Sequence, residues 1–205
     1  MLEVINLGCV RGDRRLFTNL NFVLERGGLV EVQGPNGSGK TSLLRILCGL
    51  ANPAEGEVRW KGKEIRSLDE EYSSEIAYIA HQNGVKDELS AVENLRISNA
   101  LNGQAMTKHE AQMFLERVGL GDCQNLPARV LSAGQRRRLA LARVLAADAS
   151  IWILDEVMAS LDTAAVTLSR KFISEHLDAG GMAIVAMHQE LGLPDSKTQR
   201  IDLRP

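Results

Sequence analysis

Gly34-Pro35-Asn36-Gly37-Ser38-Gly39-Lys40-Thr41 fits the phosphate-binding pattern G-x-x-x-x-G-K-[ST]. Glycines let the backbone curl so that successive N–H groups face phosphate oxygens, and a following helix adds about half a positive charge at its start. Lys40 is placed to reach the β- and γ-phosphates of a nucleotide, with the Thr41 hydroxyl on Mg²⁺ and Ser42 beside it. The flanks suit the motif. Leu29, Val30 and Val32 predict a buried strand before the loop, and Ser42 to Leu50 predicts the helix after it.

A second group of candidates ends an apolar run. Ile151-Trp152-Ile153-Leu154 reads as a strand followed by Asp155 and Glu156. Ligands of parallel α/β sheets bind at the carboxyl ends of strands, so both acids are expected near the phosphates. Asp155 is the candidate for Mg²⁺, which takes only one or two protein carboxylates. Glu156 is then free to orient or deprotonate an attacking water.

Leu131-Ser132-Ala133-Gly134-Gln135 adds a third feature. Ser132 with Gln135 three residues later, ahead of Leu139, Ala140, Leu141, Val144 and Leu145, is a capping-box start to an amphipathic helix. Such an N-terminus also suits an anion. In this order, between the phosphate loop and Asp155-Glu156, the string resembles the signature of ABC ATPases. The resemblance implies an α/β P-loop NTPase fold with a mainly parallel core sheet, a small N-terminal antiparallel β-subdomain and an inserted helical lobe. It implies ATP hydrolysis and a head-to-tail homodimer, in which Ser132, Gly134 and Gln135 of one subunit close over the γ-phosphate held by the other. Closed two-fold pairs are the usual oligomer solution.

Further positions follow from the resemblance. Gln82, after the apolar strand Ile76 to Ala80, is similar to the family's glutamine that touches Mg²⁺ or the attacking water. Ser160-Leu161-Asp162 lies where the family has a dimer-contacting loop, and His188 resembles its γ-phosphate-contacting switch histidine. Two positions depart from the pattern. Arg11 stands where the family often stacks an aromatic residue on adenine, and a guanidinium plane can also stack on a base. Val157 replaces the usual proline after the glutamate, which relaxes the local backbone restraint.

These residues need elements to position them. The 205 residues, 44% of them apolar, suffice for one domain of residues 1–205 with a substantial core. Residues 1–84 and 128–205 are expected to form the nucleotide-binding core. Residues 85–127, with helical spacing over Leu89 to Leu101 and Lys108 to Val118, are expected to form the helical lobe. Gly56 to Lys63 reads as a hairpin that joins Val4 and Phe22 to Leu24 in a small antiparallel sheet. Met182 to Met187 reads as the last strand, with the chain ending soon after it.

Composition narrows the function classes. A net charge of −2 argues against a nucleic-acid partner, and the run Arg136-Arg137-Arg138 is expected on a solvated or dimer-facing side of its helix. Cys9, Cys48 and Cys123 are odd in number and widely spaced, which fits a reducing compartment and no metal site, with Cys48 in core packing. No apolar run approaches a membrane span and Met1-Leu2-Glu3 does not begin a leader, so a cytosolic chain is expected. DNA-acting family members carry a long insertion before the signature, ribosome-associated ones carry two cassettes, and P-loop kinases or small GTPases lack the signature. Retention of Lys40 and Glu156 argues against a non-hydrolysing subunit.

The strings Ala80 to Lys86, Ala91-Val92-Glu93-Asn94-Leu95, Ile151 to Glu156 and His188-Gln189 resemble the ATP-binding subunits of haem exporters in bacterial cytochrome c maturation. That subgroup implies CcmB-like and CcmC-like integral membrane partners. It also implies a peripheral place on the cytoplasmic face of the inner membrane and a role in haem export or in release of a haem-loaded carrier. The alternative is another ABC exporter. No residue here demands haem ligation.

Overall fold

A computed structural model describes residues 1–158, 162–187 and 191–203. Ser160, Leu161 and His188 lie outside the described residues. The chain divides into two compact units, one of Met1–Tyr78, Ala149–Val157 and Ile173–Pro205, the other of Ile79–Asp148 and Met158–Phe172.

The first unit contains two sheets. One is built from β1 (Leu2–Arg11), β2 (Arg14–Leu24), β4 (Glu55–Trp60) and β5 (Lys63–Glu64), in the order β2-β1-β4-β5 with antiparallel pairing. The expected hairpin is β4–β5. Its two-residue turn is Lys61-Gly62, both at positive φ (51° and 81°), as a type I′ turn requires. The second sheet contains β3 (Leu29–Gln33), β6 (Ile76–Ile79), β7 (Ile151–Asp155), β8 (Met182–Ala186) and β9 (Thr198–Asp202), in the order β6-β7-β8-β3-β9. β7, β8, β3 and β9 pair in parallel. Every residue of β7 and β8 is buried, which explains their apolar sequences, broken only by Asp155 at the end of β7. β9 is an additional strand beyond the expected last one. It is an edge strand of mostly exposed polar residues, TQRID, and so carries little hydrophobic signal.

Helix α1 (Lys40–Leu47) packs on β7 and β8, burying Leu43, Leu44, Ile46 and Leu47 in one core with Val30, Val32, Ile153 and Ile184. Cys48 packs against that core as expected, and burial raises its thiol pKa well above the ordinary value. A short helix, α2 (Asp69–Ser73), supplies Tyr72, whose hydroxyl donates to Leu47 O at 2.7 Å.

The second unit contains α3 (Ala91–Leu101), α4 (Lys108–Arg117) and α5 (Ala133–Ala146), which pack on one another. Each starts with a capping box: Ser90 with Glu93, Thr107 with Glu110, and Ser132 with Gln135. The amide and hydroxyl of Ser90 hold the Glu93 carboxyl below its usual pKa, and Thr107 does the same for Glu110.

Within the arginine run on α5, expected on a solvated or dimer-facing side, Arg137 is not solvated while Arg136 and Arg138 are half-buried. Arg137 is buried at 6% exposure, Arg136 donates to Leu131 O and Arg129 O, and Arg138 donates to Val118 O and Gly119 O. The surrounding loops offer carbonyl oxygens, and a guanidinium supplies five donors to meet them.

α6 (Thr163–Asp178) starts in the second unit, where Asp162 Oδ1 accepts from Ala165 N at 2.7 Å, and ends in the first. There the His176 ring stacks on Trp152 (centroids 4.0 Å apart, planes 8° apart), with Nε2 3.1 Å from Met182 O. Burial lowers the His176 pKa below its ordinary 6.5, against the raising effect of backbone carbonyls at Met182 and Ser150. The unfolded chain therefore takes up this proton first, and stability present above pH 6.5 is lost as pH falls through that value. Urea midpoints measured between pH 7.5 and 5.5 should fall less for His176→Phe, which keeps the ring stack, than for the wild-type chain. Parallel pH profiles would contradict this.

Candidate functional site

β3 delivers the chain into the phosphate loop, and the turn is fixed on its other side by β9. Leu203 N donates to Gln33 O at 2.8 Å, and a Cβ on Gly34 (φ +145°) would sit 2.5 Å from Leu203 O and 2.7 Å from Ser38 Oγ. Only glycine fits there. Ser38 Oγ is buried without a hydrogen-bond partner among the described residues, so a phosphate oxygen would satisfy it.

Helix α1 differs from α3, α4 and α5 at its start. Its N-cap is Gly39 at φ 107°, no side chain caps it, and no acid lies in its first turn. Its first N–H groups and positive dipole end are therefore available to an anion. Lys40 is 5% exposed, and its Nζ donates to Gly34 O (2.8 Å) and Pro35 O (3.3 Å), with Glu156 Oε1 at 4.0 Å. A buried ammonium held by neutral carbonyls can exchange them for phosphate oxygens without leaving the loop.

Asp155 ends β7 in register with Ala186, and Glu156 N donates to Ala186 O at 3.0 Å. Glu156 sits at φ 52°, the left-handed region that non-glycine residues rarely take. Such strain concentrates at functional positions. The next residue, Val157, which stands where the family usually has proline, is buried at 1% exposure.

Asp155 is 1% exposed, and its Oδ2 accepts from Thr41 Oγ1 at 2.8 Å. A hydroxyl and a carboxylate oxygen in contact form a hard-oxygen donor set, the chemistry that suits Mg²⁺. The Asp155 charge also bears on Tyr78, whose pKa is pushed up to about 12 by burial, with Cys48 and Asp155 adding to it.

Lys40, Thr41 and Glu156 share a cleft of about 370 Å³ with Arg11, Arg14, Leu16, Asn36, Gly37, Gly39 and Ser42. The first unit thus brings together the phosphate loop, Glu156 and Arg11, with Asp155 held to Thr41. Gln82, Ser132, Gly134 and Gln135 lie in the second unit. Gln82 is exposed in the loop after β6. Gln135 Oε1 accepts from Ser132 N (2.8 Å) and Ser132 Oγ from Gln135 N (3.1 Å), an arrangement that fixes the start of α5.

Arg14 was not read from the sequence. It is the cross-strand partner of Arg11 at the hairpin tip, so the β1–β2 pairing is the signal that could have found it. Directly opposed like charges cost stability, and an anion between them removes that cost. Arg14→Ala, alone or with Arg11→Ala, should leave the fold as stable or more stable while weakening nucleoside triphosphate binding several-fold, about 1 kcal/mol. Calorimetric titration paired with urea unfolding checks this; unchanged affinity in the double variant would contradict it.

Comparison with known proteins places these features. A family model described as "ABC transporter" matches residues 17–159. A "Cytochrome c biogenesis ATP-binding export protein CcmA" of Nitrosospira multiformis is 54% identical over 202 residues, 98% of each chain. The like-named protein of Nitrosomonas europaea is 51% identical over 191 residues, covering 93% of this chain and 90% of that one. Among solved structures, a putative ABC transporter ATP-binding protein from Pyrococcus furiosus has a TM-score of 0.86 at 28% identity, over 98% of this chain and 96% of that one. An ATP-binding cassette solved as a dimer in a post-hydrolysis state bound to ADP and Pi has a TM-score of 0.79 at 26% identity, over 92% and 88%.

Proposed function

The chain belongs to the ABC transporter family, and on that premise we propose how it works as the ATP-hydrolysing subunit of an exporter serving cytochrome c biogenesis. The observation that carries the reading is the uncapped start of α1 beside a buried Lys40, in one cleft with Glu156.

The loop N–H groups and Lys40 hold the β- and γ-phosphates, and Arg11 and Arg14 face the nucleoside end. Thr41 and Asp155, with Gln82 as a further candidate, would hold Mg²⁺, which would neutralise charge on the phosphate oxygens. Glu156 takes the proton of the attacking water as its oxygen bonds to the γ-phosphorus. The bond from that phosphorus to the β-phosphate bridging oxygen breaks, leaving ADP and phosphate. His188 contacts the γ-phosphate. Ser132, Gly134 and Gln135 of a second copy add donors to the spreading charge, so the closed homodimer is favoured by ATP and reopens after hydrolysis. The role assigned to Ser160, Leu161 and Asp162 is contact with the partner copy.

Residues 85–127 serve as a helical subdomain, with residues 1–84 and 128–205 as the nucleotide-binding core. Among the described residues no helix is long and apolar enough to cross a membrane. The chain works peripherally on the cytoplasmic face of the inner membrane through CcmB-like and CcmC-like partners. The cargo is haem or a haem-loaded carrier. Names of the relatives at 54% and 51% identity support the cytochrome c assignment.

Two experiments test the proposal. Lys40→Ala and Ser132→Arg chains should each be inactive, whereas their mixture should recover up to about a quarter of wild-type turnover, because half the dimers are mixed and each has one intact site. Full activity of Ser132→Arg alone would contradict the composite site. Expression in a bacterium lacking its own subunit should restore covalently haem-bearing c-type cytochromes; normal ATP turnover without restoration would point to another cargo.

A further inference from the structure

The buried arginine of α5 and a second one six residues later both reach the segment that carries Gln82. Arg137 Nη1 donates to Ala80 O at 3.2 Å and to Asn83 Oδ1 at 2.7 Å. Arg143 Nη1 donates to Asn83 O at 3.0 Å and Gly84 O at 2.8 Å, while its Nε donates to Ser98 Oγ of α3 at 3.0 Å. Gln82 lies between the residues gripped on either side. A guanidinium withdrawn from water is costly unless its donors are met, and charge-assisted bonds are about twice as strong as neutral ones. The segment is therefore fixed to α5 by charge-assisted bonds on both sides of Gln82.

The start of that continuous 14-residue helix is Ser132 to Gln135. We propose that Arg137 and Arg143 are positioning residues that join Gln82 to the signature, so that a shift of one carries the other. This rests on the reading above, in which Gln82 serves the nucleotide in its own subunit and Ser132 the nucleotide in the partner. The clamp then links the two ATP sites of the dimer. It makes turnover cooperative in ATP without touching the nucleotide.

The test compares Asn83→Ala, Asn83→Asp, Arg137→Lys and Gln82→Ala with the wild-type chain. Steady-state ATP turnover is measured in membranes holding the whole transporter, and ADP affinity with the purified chain. Asn83→Ala and Arg137→Lys should lower kcat about fivefold or more and bring the Hill coefficient for ATP to about one, a loss typical of a broken coupling. ADP affinity should stay within about twofold, because the phosphate loop is untouched. Asn83→Asp, which keeps an acceptor for Arg137, should retain cooperative turnover. If Arg137→Lys fails to fold, the milder Asn83→Ala decides alone.

Wild-type kcat and Hill coefficient in folded Asn83→Ala would overturn the proposal, as would equal losses in Asn83→Asp and Asn83→Ala or a Hill coefficient of one in the wild-type chain. Unchanged turnover in Gln82→Ala would overturn the role of Gln82 and the clamp with it. Lost turnover in Gln82→Ala alone would overturn only the clamp.

Discussion

A buried ammonium with carbonyl oxygens for partners is the constraint around which the first unit is built. Lys40 Nζ has Gly34 O at 2.8 Å and a carboxylate oxygen of Glu156 only at 4.0 Å. Holding that charge at 5% exposure is tolerable because the loop bends its own oxygens onto it. The bend depends on a glycine pressed against Leu203 O, and Leu203 in turn continues β9, which pairs in parallel with β3. A polar edge strand far along the sequence thus helps shape the phosphate loop. In the proposed role, phosphate oxygens would replace these carbonyl acceptors without the loop being built anew.

The helix starts divide by purpose. α3, α4 and α5 satisfy their first N–H groups with capping boxes, whereas α1 has a glycine cap with no side-chain oxygen. Helical stability given up at an open N-terminus reappears as anion binding. The second unit applies the opposite economy at Arg137 and Arg143. There the cations are already committed to backbone and side-chain oxygens, which makes them structural links.

Legibility in the sequence followed the physics of each signal. β7 and β8 were readable because strands buried on both faces need nearly continuous apolar residues, and β3 from Leu29, Val30 and Val32 although the buried Glu31 interrupts them. The hairpin over Gly56 to Lys63 was readable as a whole, while the place of its turn at Lys61-Gly62 came from the structure. β9 was not, since an exposed edge leaves TQRID no apolar pattern to show. The capping box at Ser132 was recognised, but nothing local separates a solvated arginine from Arg137, whose acceptors at Ala80 and Asn83 come from more than 50 residues away. Arg14 was hidden for a similar reason, because its meaning lies in the strand opposite.

In the proposed mechanism Glu156 does the chemistry while Lys40 and the loop do the binding. The most direct measurement is ATP affinity, sedimentation and turnover of Glu156→Gln beside the wild-type chain. ATP binding at least as tight as wild type, an ATP-bound dimer, and turnover lower by about 10²–10⁴-fold, the usual worth of a general base, are expected. Turnover within tenfold of wild type, with ATP still bound, would contradict the mechanism.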